Sequence, residues 1–232
     1  MNVILQDFLL ILALLLISYP LGLYIKKVMD EENTFLSKVL APLEKNIYKF
    51  LKIREDLDMN YKEYTLSVIM FSLVSLIVLF IMLKLDGMSS SLAFNTSASF
   101  ITNTNWQSYA GELSLGMLSQ TMGLTVQNFL SASTGMAVLF ALMRGIRNIR
   151  TSGLGNYFKD MIRITLYVLI PLNIVVSLLL VAGGVMQTTN NNKVVSLIEP
   201  FAVDENHNVI YNSKIDLENN KVYVDKQEVK NA

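Results

Sequence analysis

The sequence predicts an all-α polytopic membrane protein with about four transmembrane helices, one short re-entrant helix and a polar loop after it. Three observations lead there. The 232 residues are 52% hydrophobic and 16% charged, with mean hydropathy +0.42, well to the apolar side of an ordinary soluble domain. Four runs, Phe8 to Ile25, Thr65 to Leu83, Met122 to Met143 and Ile164 to Met186, come close to or exceed the roughly 20 apolar residues that a bilayer crossing needs. Between the second and third lies Asn95 to Gln107, NTSASFITNTNWQ, too polar for lipid and too short and uncharged for a separate domain. Such backbone is tolerated at membrane depth only where protein buries it or where it lines a watery path, so this segment points to an ion or solute route.

Taken in order, the first run lacks the basic flank and small-residue cleavage site of a signal peptide and reads as a retained helix ending at Lys26 and Lys27. Residues 30–63 place Leu36, Val39, Leu40, Leu43, Ile47, Phe50 and Leu51 at three- and four-residue spacing. That is an amphipathic helix, interrupted at Pro42, lying on the membrane or on neighbouring helices, with partner docking as the alternative. After the second run Asp86 and Gly87 make a turn, and Ser89 to Ser91 offer N-caps for a short helix through about Phe100. About ten residues reach roughly 15 Å, half the hydrocarbon core. The C-terminal end of that helix would favour a cation, and Thr102 to Asn105 would return from it as extended backbone offering carbonyl oxygens.

The third run carries Gln127, Ser131 and Thr134 on one helical face with Asn128 beside it. That face looks either at a pore or at other helices through hydrogen bonds. Pro171 and Asn173 in the fourth run mark a kink whose freed carbonyls find local partners. From Gln187 the chain turns polar, with strand-like stretches Val194 to Ile198, Val209 to Tyr211 and Lys221 to Val224 and a turn at Asn219 and Asn220.

Lysine and arginine set the topology. Residues 26–63 hold Lys26, Lys27, Lys38, Lys45, Lys49, Lys52, Arg54 and Lys62, and residues 144–163 hold Arg144, Arg147, Arg150, Lys159 and Arg163. The 84–121 connection has only Lys84, and the N-terminus none. Both basic connections are therefore expected in the cytoplasm, with the N-terminus, the polar loop and the tail on the outer face of a bacterial plasma membrane. Arg144, Arg147 and Arg150 would anchor the third run or take part in gating. Glu112 would attract cations, cap a helix or pair with Lys84.

Composition also excludes. Zero net charge and basic residues distributed by topology leave no nucleic-acid footprint. Without cysteine, and with His207 as the only histidine, there is no thiolate or histidine-cluster metal site. No carboxylate pair, His cluster or Ser/Lys dyad lies within the spans, so a membrane enzyme is poorly supplied. A P-loop and a phosphorylatable aspartate motif are also lacking, so ATP hydrolysis is expected elsewhere. No catalytic residue and no organic cofactor are expected on this chain.

FITNTNWQSYAGE (Phe100 to Glu112), SQTMGLTVQNFLSASTG (Ser119 to Gly135) and LGNYFKDMIRITLYVLIPL (Leu154 to Leu172) closely resemble the potassium-binding A subunit of Kdp-type potassium-pumping ATPases. The resemblance implies four unlike potassium-channel-like membrane-pore-membrane repeats around one selectivity filter. Residues 1–63 would be an extra helix with its cytoplasmic connection, 64–145 the first repeat, 146–186 a helix leading to the next, and 187–232 an extracytoplasmic segment cut short. It implies potassium as the transported ligand, held by backbone carbonyls of Thr102, Asn103 and Thr104, with Asn105 at the outer mouth. Trp106 would be an aromatic cuff behind the loop, and Gln107 a brace. It implies a P-type ATPase catalytic subunit and small accessory membrane subunits as partners, in the lipid bilayer. Family members are more than twice this long and carry glycine-rich loops of the GTNGGG kind that are not found here. One loop cannot surround an ion, so the chain alone is expected to be inactive. The alternatives are a channel-like potassium uptake subunit without a pump, a non-conducting truncated fragment, and a homotetramer, which the unlike loops disfavour.

Overall fold

The computed structural model describes residues 3–147, 153–185, 202–204, 209–210, 213–216, 221–224 and 227–228. The chain divides into two units, residues 1–189 and 190–232. In the first, four helices are long and apolar enough to cross a membrane: Leu5–Met29, Tyr61–Leu85, Ser119–Arg147 and Tyr157–Ala182.

Helix α1 (Val3–Met29) ends with Lys26 and Lys27 in its last turn, where cations meet the negative pole of the helix dipole. Helix α2 (Ser37–Leu51) runs straight through Pro42, contrary to the expected interruption. Pro42 deprives the carbonyl of Lys38 of its donor, and both residues sit on the exposed side of the helix. The buried face of α2 is centred on Glu44 and Tyr48, with Leu36, Leu40 and Ile47 packed beside them, while Phe50 and Val39 point away.

Helix α3 (Tyr61–Leu85) opens with a capping box. Asn60 Oδ1 accepts from the Lys62 and Glu63 amides at 2.9 and 3.1 Å, and Glu63 Oε2 accepts from the Asn60 amide at 2.9 Å, meeting three donors that a helix start leaves open. After the turn at Asp86 and Gly87 comes the short helix α4 (Ser90–Ile101), close to the predicted bounds. It packs on α3 and on α6, the long helix of the third span. Ala93 and Ser97 are wholly buried, and such small side chains permit close helix approach. Asp86 Oδ2 accepts from the Gly116 amide at 2.9 Å, closing the entry and exit of the α4 segment on each other.

The third span follows the short helix α5 (Gly111–Ser114) and opens with a π-helical turn, Ser119–Thr125, that passes into α6 (Val126–Arg147). Gly123 permits the close pass of α3 here, since a Cβ would meet Leu79 at 3.2 Å. The fourth span is α7 (Tyr157–Arg163), a second π-helical turn (Ile164–Leu169) and α8 (Ile170–Ala182). Pro171 lacks the amide that would reach the Tyr167 carbonyl in an unbroken α-helix. That carbonyl accepts instead from the Tyr24 hydroxyl at 2.7 Å. The expected partner was local; this one belongs to α1, which packs on the second π-helical turn.

No residue of α8 is buried and most of α1 is bare, as suits helices that present leucine and isoleucine to lipid. Two clusters form the interior. One gathers Val28, Tyr48, Tyr64, Tyr157 and Tyr167 where α1, α2, α3, α6 and α7 converge. The other joins Leu79 and Leu83 of α3 to Ala93 and Phe100 of α4 and to Leu124.

In the second unit β1 (Ala202–Val203) pairs antiparallel with β2 (Val209–Ile210). β3 (Lys214–Asp216), β4 (Lys221–Val224) and β5 (Gln227–Glu228) form an antiparallel meander with Asp216 opposite Lys221. The expected strand at 221–224 matches β4. The expected strand Val194 to Ile198, the Asn219–Asn220 turn and His207 lie outside the described residues, as does Arg150 in the first unit.

Candidate ion-binding loop

The six residues singled out by sequence follow directly on α4. Thr102 is its C-cap at φ −82°, and Asn103 turns left-handed at φ 58°. The Asn103 amide donates to Phe100 O at 3.3 Å and the Thr104 amide to Ser99 O at 3.0 Å. These are the two bonds of a Schellman helix ending, in which Asn is the commonest substitute for glycine. The loop is therefore not the expected extended strand. A left-handed residue at 103 folds it back under the helix end, because the free carbonyls of the last turn need donors.

Helix termination does not account for what comes next. Asn105 is also left-handed, at φ 56°, and its amide reaches the same Ser99 carbonyl at 3.3 Å. The Thr102 amide donates to Ala98 O at 3.1 Å, and Thr102 Oγ1 adds bonds to Ala98 O and Ser99 O at 2.9 and 3.2 Å. All four amides of residues 102–105 thus turn toward α4. Among the described residues no donor reaches the carbonyl oxygens of Thr102, Asn103, Thr104 or Asn105. Side chains brace the loop from within: Thr102 Oγ1 and Thr104 Oγ1 are 2.8 Å apart, and Asn105 Nδ2 donates to Asn103 Oδ1 at 3.2 Å. All four residues are exposed.

Trp106 departs from its expected packed role within this chain. Trp106 is 43% exposed and contributes its backbone, whose carbonyl accepts from Ser99 Oγ at 3.2 Å. Gln107, two residues beyond Asn105, stands beside Tyr109. The buried Tyr109 hydroxyl has no hydrogen-bond partner among the described residues. Burial pushes its phenol up, and Thr96 and Gln107 moderate the shift without completing a bond. Lys84 Nζ donates to Met88 O at 2.9 Å; the Glu112 side chain lies outside the described residues.

The polar face of the third span divides between the two readings it allowed. Ser131 Oγ touches Asn103 Oδ1 at 3.3 Å. Thr134 Oγ1 instead pairs with the Tyr157 hydroxyl at 2.9 Å, an interhelical tie. Asn128 is exposed.

A second polar region sits at the other end of the span and was largely illegible in the sequence. Arg144 grips Asp160 with two bonds, at 2.6 and 2.9 Å, and reaches Leu154 O at 3.0 Å. Tyr64 donates to Asp160 at 3.1 Å. Arg163 pairs with Glu44 at 2.6 Å and donates twice to Val28 O, at 3.1 and 2.9 Å. Glu44 also accepts from Tyr48 and Tyr167 at 2.6 and 2.7 Å. Burial, and then the hydrogen bond and charge of Glu44, push the Tyr48 phenol far above its ordinary value, so it stays a donor. Arg144 is thus an anchor as one reading had it, whereas Arg147 is exposed. Glu44 was missed, although its position four residues from both Leu40 and Tyr48 on the buried face was a usable signal.

Sequence comparison places these motifs among known proteins. The family described as potassium-transporting ATPase A subunit matches residues 8–214. A potassium-transporting ATPase potassium-binding subunit from Clostridium botulinum (strain Alaska E43 / Type E3) is 50% identical over 216 residues, covering 88% of this chain and 37% of that relative. The same-named subunit from Clostridium perfringens is 50% identical over 219 residues, covering 90% and 38%. One from Listeria monocytogenes serotype 4a is 44% identical over 208 residues, covering 85% and 37%.

Proposed function

The chain belongs to the family of potassium-transporting ATPase A subunits, and from that premise we propose that residues 102–105 supply one part of a potassium filter in an ATP-driven uptake pump. The chain spans about 37% of the length of the curated relatives it matches, so the pump's activity, its ion and its partners are part of this proposal. Thr102, Asn103 and Thr104 ligate the ion through their carbonyl oxygens, and Asn105 stands at the outer mouth. What carries the reading is the division of the loop's polar groups. Its four amides are engaged by the end of α4 and its four carbonyls by nothing described. A helix ending needs only the donors, whereas a dehydrating cation needs the acceptors. Selectivity then follows from the number and field of such oxygens.

One loop offers too few oxygens to replace a hydration shell, so the remaining ligands come from further repeats. The A subunit binds potassium from the outer face, and a P-type ATPase subunit with small accessory membrane subunits supplies the work. The N-terminus and the loop face outward and the basic connections inward, in a bacterial plasma membrane.

Growth at micromolar potassium tests this, in cells lacking other uptake systems and supplied with the partner subunits. They receive this chain alone or together with the separately expressed remainder of an A subunit. Rescue only with the remainder is expected. Rescue by the chain alone would overturn the one-loop argument in favour of a homotetramer, and no rescue in either arm would remove the chain from the pump.

A further inference from the structure

We propose that Ser131 of α6 is a positioning residue for the filter, holding the Asn103 side chain and through it the left-handed backbone that aims the loop's carbonyls. The proposal rests on the reading of residues 102–105 as ion ligands.

Ser131 is buried, 4% exposed, on a helix otherwise suited to lipid or to packing. Its hydroxyl makes the bond common to helical serines, to Gln127 O four residues back at 2.8 Å. That bond alone would satisfy it. A second, longer arm goes to Asn103 Oδ1 at 3.3 Å, across 28 residues of sequence, and the hydroxyl also lies 3.5 Å from Asn128 O, so its single proton is shared. Asn103 Oδ1 accepts in turn from Asn105 Nδ2 at 3.2 Å. One carbonyl oxygen of one side chain therefore joins both left-handed residues of the loop, φ 58° and φ 56°, to a membrane-spanning helix. Left-handed backbone is disfavoured for any residue with a Cβ and persists where its surroundings hold it. The Schellman bonds hold the amide side of Asn103; among the described residues, Ser131 makes the only hydrogen bond from the third span to its side chain. Serine rather than alanine at this place is also not required by the helix, where alanine is the better former. Ser133, two positions on, bonds among the described residues only within its own helix, to Leu130 O, and serves as the contrast.

The test is potassium-stimulated ATP hydrolysis by the purified complete pump carrying Ser131→Ala. Losing one neutral hydrogen bond corresponds to an about three- to tenfold rise in the potassium concentration for half-maximal stimulation, with the maximal rate retained and the preference for potassium over rubidium reduced. Ser131→Thr, which keeps the hydroxyl, brings the affinity back. In an Asn103→Ala background Ser131→Ala adds nothing, because the contact is already gone. Unchanged affinity in Ser131→Ala beside a weakened Asn103→Ala overturns the positioning role and leaves the filter intact. A Ser131→Ala effect that persists in full in the Asn103→Ala background overturns it as well. Unchanged affinity in both single variants removes the filter reading and this role together.

Discussion

The two polar regions of the helical unit hold similar groups and treat them in opposite ways. At one end, the buried Glu44 and Asp160 and the half-buried Arg144 and Arg163 satisfy one another: each carboxylate meets an arginine and at least one tyrosine, and each arginine also caps a backbone carbonyl. At the other, Thr102 to Asn105 are exposed and carry no charge, and among the described residues their amides are engaged while their carbonyls are not. Ionised side chains in a membrane protein invite a functional reading, yet here the complete network has the makings of a brace, and it is the neutral, half-satisfied backbone that we propose as the site. An ion can bind only where acceptors remain open, and a brace holds only where none do.

This contrast can be broken by measurement. Glu44→Ala leaves Arg163, Tyr48 and Tyr167 without their shared acceptor, and removing one partner of a buried pair costs about 3–5 kcal/mol. A large fall in melting temperature in detergent is expected, with unaltered potassium affinity in whatever pump still assembles; an unaltered melting temperature would make the cluster dispensable. Gly155→Ala comes next. Its φ of +92° disfavours a Cβ, and the added carbon would meet the Arg144 guanidinium, so about 1–3 kcal/mol of stability is expected to go. Limited proteolysis at rising temperature would register it, and wild-type resistance would count against the tight seat of Arg144.

Two variants near the proposed filter should behave in the opposite manner. Gln107→Arg brings a cation beside the loop and should weaken potassium affinity by about tenfold or more, roughly 1.4 kcal/mol, with melting unchanged. Undiminished affinity would move the filter away from this loop. Lys84→Ala removes one part-buried tie from an exposed residue to Met88 O. Its effect on melting should stay within about 0.5 kcal/mol and potassium-stimulated ATPase should be unaffected; a large transport defect would mean that the entry to α4 is part of the ion path.

Much of this was legible along the chain. Spans emerge from hydropathy because a bilayer demands length and apolarity from each helix independently. Helix α4 announced itself through Ser89 and the turn at Gly87, and the Asn/Thr segment stood out by being polar where lipid is near. Asn103 as a helix ending could also have been read, since asparagine just past a helix is a known stop. The second left-handed residue, Asn105, could not, because nothing local requires it. Pro42 and Pro171 misled for one reason: a proline removes an amide, but whether the helix breaks depends on who meets the orphaned carbonyl. At Lys38 the exposed side of the helix suffices, and at Tyr167 the answer is the hydroxyl of Tyr24, 143 residues away.

The sequence by itself determined the class of fold, the number of spans, the short helix before the polar loop and, through its motifs, the family. These depend on composition and on interactions within a few residues. Tertiary structure alone decided which polar groups are engaged and which stand open. Glu44 finds Arg163 across 119 residues, Arg144 closes on Asp160 across the 147–153 connection, and Ser131 reaches Asn103 across 28. A hydrogen bond needs its two atoms within about 3 Å, and for partners on different helices only packing brings them there.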